Sequence, residues 1–74
     1  MTTEQAKREL RNLAAIRRRV EGGQLTGRND AATWDTVAYK VARLQDFFRT
    51  ADETAETERL WARFNALERW SVGL

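Results

Sequence analysis

The sequence predicts an all-α chain, an antiparallel three-helix bundle in a single helical domain spanning residues 1–74. Three observations predict it. No proline occurs, so nothing in the chain breaks a helix from within. Three stretches carry apolar residues at the three- and four-residue spacing of one helix face. Capping patterns and a glycine pair divide those stretches from one another.

The first helix opens at Thr2, with Gln5 three residues on, the pattern of a capping box. The stretch from Thr3 to Glu21 then reads as helix. Ala6, Leu10, Leu13, Ile16 and Val20 fall within one arc at about 100° per residue. Gly22 and Gly23 end it, because glycine takes the left-handed conformation past a helix end without steric cost. Residues Gln24 to Arg28 read as a polar loop around Leu25.

Asn29 or Asp30 caps the second helix. Its stripe is Trp34, Val37, Val41, Leu44 and Phe48, alternating three and four residues apart as in coiled-coil-like packing. Ala38, Ala42 and Gln45 flank the stripe, and the small alanines allow close approach.

Thr50, Ala51, Asp52 and Glu53 read as a further capping box, with the second helix ending near Arg49. Leu60, Phe64 and Leu67 form the third apolar set. Leu60 lies twelve residues beyond Phe48, so a continuous helix would rotate the stripe by about 120°. A break lets both stripes face one core. The alternative is a dimerising helical hairpin whose long second helix runs from about 31 to 71.

A core of this size leaves only about 3–5 kcal/mol of net stability. With no cysteine and no histidine, no disulfide or usual zinc site is available to add to it. No cofactor and no metal are expected. Regular packing or self-association has to carry the fold. No run of eighteen apolar residues and no secretory pattern occurs, so the expected location is the cytoplasm, with no membrane partner.

The charge is unevenly spread. Residues 1–28 hold seven basic and three acidic residues, residues 29–51 three of each, and residues 52–74 three basic and five acidic. Matching of helix macrodipoles accounts for much of this. A steering field is the other reading.

Little in the chain suggests catalysis. Residues 22–29 approach the spacing of a phosphate-binding loop, but Arg28 and Asn29 stand where the lysine and the hydroxyl residue belong, and a helix rather than a strand precedes them. Asp52, Glu53, Glu56 and Glu58 are carboxylates at a helix start, where a bundle this small is not expected to supply a cleft. Ser71 and the threonines have no histidine to activate them. The chain is not expected to be an enzyme.

Two surfaces could bind a partner. Seven aromatics are many for so small a core. Trp34, Phe48 and Phe64 lie on stripes, whereas Tyr39, Phe47, Trp61 and Trp70 flank or leave them. With Arg43, and with Arg63 and Arg69 nearby in sequence, these are the side-chain types enriched at protein contacts. The second surface is the outer face of the first helix, where Lys7, Arg8, Arg11, Arg18 and Arg19 project with Glu4 as the one acid among them. Arg17 falls inside the apolar arc, where its stem can serve as apolar surface and an acid from another helix can pair with it.

The run Leu25, Thr26, Ala31, Trp34, Lys40, Val41, Ala42 and Leu44 loosely resembles the middle of Hha-type nucleoid modulators, small helical partners of a DNA-binding protein. The likeness covers under a third of the chain, on residues any amphipathic helix uses, and no family assignment rests on it. The function expected from the residues is a small protein-binding regulator or inhibitor that occludes a partner surface, of a kind carried on phage or other mobile elements. Its partner would be another protein or a second copy. The alternative is a nucleic-acid binder using the basic face of the first helix. A subunit that completes a larger assembly is a third reading.

Overall fold

A computed structural model describes residues 1–23 and 31–72, and its helices follow the three apolar stretches: α1 (Thr3–Glu21), α2 (Ala31–Thr50) and α3 (Ala55–Val72). Each helix packs against both of the others, and no strand occurs among the described residues. The polar loop Gln24–Arg28, the cap at Asn29 or Asp30, and all of the run 22–29 except Gly22 and Gly23 lie outside the described residues.

The ends of α1 follow from its sequence. The Gln5 backbone N–H donates to Thr2 Oγ1 at 3.2 Å, and the Thr2 N–H donates to Gln5 Oε1 at 2.8 Å. Both ends of a capping box are therefore closed. At the other end the Gly22 N–H reaches the Arg18 carbonyl at 2.9 Å. Gly23 then turns the chain at a φ of 74°, a region that a side chain with a β-carbon rarely adopts.

The second capping box sits four residues later than the sequence suggests. Thr50 is the last residue of α2, and its hydroxyl bonds back to the Asp46 carbonyl at 3.4 Å. Thr54 is the cap of α3: the Thr57 N–H donates to Thr54 Oγ1 at 3.1 Å and the Thr54 N–H to Thr57 Oγ1 at 2.9 Å. The Thr57 hydroxyl also reaches the Asp52 carbonyl at 2.6 Å. A threonine at the third helical position thus does the work usually given to glutamate. The break between α2 and α3 excludes one long second helix.

Eight residues form the buried core: Ala6, Leu10 and Leu13 from α1, Val37 and Leu44 from α2, and Leu60, Phe64 and Leu67 from α3. Trp34, Val41 and Phe48 of the α2 stripe are half-buried and pack against it, as do Ile16, Phe47 and Trp70. No polar or charged residue is buried among those described.

Each seam between helices also carries a polar link at its edge. Lys40 Nζ meets Glu9 Oε2 at 2.6 Å between α2 and α1. Lys7 Nζ meets Glu56 Oε1 at 3.3 Å between α1 and α3. Gln45 donates to Glu68 between α2 and α3. Lys7 and Glu56 both stand near the start of their helices, so α1 and α3 run the same way. The ring contacts Trp34–Trp70 and Phe48–Trp61 set α2 antiparallel to α3.

Candidate functional site

The aromatics do not gather into one patch. Phe48, on the last turn of α2, lies 5.3 Å from both Trp61 and Phe64 of α3, centroid to centroid. Trp61 is 5.8 Å from Phe64 and 5.3 Å from Phe48, yet it stays 46% exposed. Phe47 joins this cluster edge-on to Phe48 at 5.1 Å, half-buried against the core. Trp70 is half-buried at the other end of the bundle, 6.0 Å from Trp34. Tyr39 is 64% exposed, and nine residues of helix put it on the side of α2 opposite Phe48.

Of the expected protein-contact residues, then, Tyr39 and Trp61 present open rings, while Phe47 and Trp70 give most of their area to the fold. Phe47 leaves the Trp34 stripe of α2 in angle, and Trp70 leaves the Leu60, Phe64 and Leu67 stripe of α3, but each helix packs against both others and so has more than one buried side. Arg43 stacks over Tyr39 with its guanidinium carbon 5.5 Å from the ring centroid.

Beside Trp61 the α2–α3 connection leaves a groove lined by Phe48, Ala51, Asp52, Glu53, Thr57, Glu58 and Trp61. Its lining joins the rings of Phe48 and Trp61 to the carboxylates of Asp52, Glu53 and Glu58. The carboxylates of Asp52, Glu53 and Glu58 form no ion pair among the described residues. Glu58 lies in the first turn of α3, where the helix dipole favours it. Asp52 and Glu53 precede the cap and gain less.

The basic residues divide sharply. Lys7 is held by Glu56 and Glu4, each at 3.3 Å, and the hydrogen bond it donates to Glu56, then the one it donates to Glu4, raises its pKa above the usual lysine value. Arg17 pairs with Glu21 on its own helix at 2.8 Å, so the acid expected from another helix is not its partner. The four-residue spacing brings that pair together at lower entropic cost than a cross-helix reach. Arg8, Arg11, Arg18 and Arg19 are exposed and make no ion pair or side-chain hydrogen bond among the described residues.

Sequence reasoning missed Glu9. Its carboxylate is 13% exposed and faces two cations, Lys40 at 2.6 Å and Arg43 at 3.9 Å. Lys40 and Arg43 lie three residues apart on one face of α2, which signals a shared anion. Nothing in the spacing tells which helix supplies it.

The fold is a small three-helix bundle with no cluster of metal-ligating residues among those described. No described helix is long and apolar enough to cross a membrane. Comparison with known proteins finds no matching family model, no matching curated protein and no matching solved structure.

Proposed function

We propose that this chain is a small non-catalytic protein-binding module, a regulator or inhibitor that acts by covering a surface of its partner. The observation that carries the reading is Trp61, an indole backed by Phe48 and Phe64 yet 46% open to solvent beside a groove. Tryptophan is among the side chains enriched at the hot spots of protein contacts. The three carboxylates lining the groove suit a partner segment carrying lysine or arginine. Tyr39 with Arg43 offers a smaller second contact on the far side of α2.

The test pairs folding with binding. The tagged chain and its Trp61→Gln variant are used to capture partners from the native cell extract, and the recovered protein is purified. Trp61→Gln should keep its helical circular dichroism and weaken binding by about 2 kcal/mol, roughly 30-fold. A variant that folds and binds its captured partner as wild type does would refute the reading.

A further inference from the structure

We propose that the outer arc of α1 is a contact face for duplex DNA, with two arginine pairs gripping phosphates on either side of the major groove. The proposal is independent of the Trp61 surface and rests on how the cations without a carboxylate partner are grouped: Arg59, Arg63 and Arg69 on α3 also lack one among the described residues, but α1 carries four. On α1 and α2, Lys7, Arg17, Lys40, Arg43 and Arg49 each have a carboxylate partner. Arg8, Arg11, Arg18 and Arg19 have none among the described residues. At about 100° per residue these four fall within an arc of roughly 100°.

Macrodipole matching explains Arg18 and Arg19, which stand in the last turn of α1. It does not explain Arg8 and Arg11, which lie in the first half of the helix, where positive charge gains nothing from the dipole. One acid, Glu4, falls inside this arc beyond Arg8 and is engaged with Lys7 at 3.3 Å; Glu21, outside it, is engaged with Arg17 at 2.8 Å. Between the arginine pairs the surface is Asn12, exposed, and Ala15, half-buried, so no bulky or acidic side chain holds the helix away from a polyanion.

The spacing favours a duplex. The midpoint of Arg8 and Arg11 lies nine residues from that of Arg18 and Arg19, about 13 Å along the axis at 1.5 Å per residue. The major groove of B-DNA is about 12 Å wide. A helix laid across it sets one pair on each bordering strand, with the small Ala15 near the middle of the arc facing the groove and Asn12 at its edge. Four phosphate contacts give binding that is weakly selective and strongly salt-dependent.

The experiment measures anisotropy of a labelled 20-base-pair mixed-sequence DNA duplex, and of an RNA duplex of the same sequence, between 50 and 200 mM KCl. Four contacts predict a slope of log affinity against log salt of about −3.6, a loss of about 150-fold over that range. Arg8→Gln/Arg11→Gln and Arg18→Gln/Arg19→Gln should each roughly halve the slope. The four-fold variant should lose measurable binding at 50 mM while keeping its helical signal. Arg49→Gln/Arg59→Gln, which removes as many charges from α2 and α3 as either α1 double variant, should leave the slope unchanged. The proposal is overturned if the wild-type chain does not bind the DNA duplex at 50 mM KCl. It is also overturned if the Arg49/Arg59 variant loses as much as the α1 variants, or if the RNA duplex, whose major groove is too narrow and deep to enter, binds equally well.

Discussion

Phe64 is the side chain on which the fold leans most, and its truncation should bring the chain to the edge of unfolding. It is 1% exposed and stands in contact with rings from two helices, Phe48 at 5.3 Å and Trp61 at 5.8 Å. Replacing a buried phenylalanine by alanine costs about 3–5 kcal/mol, the lost burial plus the cavity left behind. A bundle of this size holds about the same amount in total. Phe64→Ala should therefore leave a large fraction of molecules unfolded at 25 °C. Phe64→Leu keeps most of the volume and should cost about 1–2 kcal/mol, lowering the melting temperature by roughly 5–15 °C. Trp61→Gln provides the contrast. Its ring belongs to the same cluster, but about half of it already faces water, so the loss should stay near 1–2 kcal/mol. Urea titration followed by tryptophan fluorescence and by far-ultraviolet circular dichroism reads all three. A Phe64→Ala protein with the wild-type midpoint, or one no less stable than Trp61→Gln, would refute the assignment of this ring as the keystone of the core.

Two other substitutions probe the caps and the seams. Thr54→Ala should cost about 1 kcal/mol by freeing the first turn of α3, whereas Thr50→Ala should change stability by less than about 0.5 kcal/mol; equal losses in chemical denaturation would restore Thr50 as the cap. Glu9→Gln should destabilise by about 1–3 kcal/mol, because it leaves Lys40, with a side chain 18% exposed, beside Arg43 without their shared anion. The loss should exceed that of Lys40→Met, and a thermal melt showing the reverse order would mean that the pair adds nothing to the α1–α2 seam.

The helices were legible because their signals are local. Thr2 with Gln5, the glycine pair and the three apolar stripes each act within one or two turns, and α1 starts and stops where they say. The cap of α3 slid by four residues because threonine at 57 supplies the return hydrogen bond, and the usual pattern looks for glutamate or glutamine there. Surfaces were less legible, since exposure depends on how three helices meet. Phe47 leaves the stripe of α2 and Trp70 that of α3 in angle, but both still find a neighbour, while Trp61, next to Leu60 in sequence, is left half in water. Glu9 was invisible for the same reason: its two partners lie thirty-one and thirty-four residues on.

The three polar links at the helix seams bear on the handedness of the bundle. Apolar stripes alone would cover one another nearly as well with α3 docked on the opposite side of the α1–α2 pair, giving a mirror-related arrangement. A core of leucine, valine, alanine and phenylalanine, with no buried polar group among the described residues, does little to reject that alternative. Glu9–Lys40, Lys7–Glu56 and Gln45–Glu68 occupy one seam each, and reversing the winding would separate partners at all three together. The two more exposed links, Lys7–Glu56 and Gln45–Glu68, are worth little as stability, yet with Glu9–Lys40 they act as a key that one winding satisfies and the other does not.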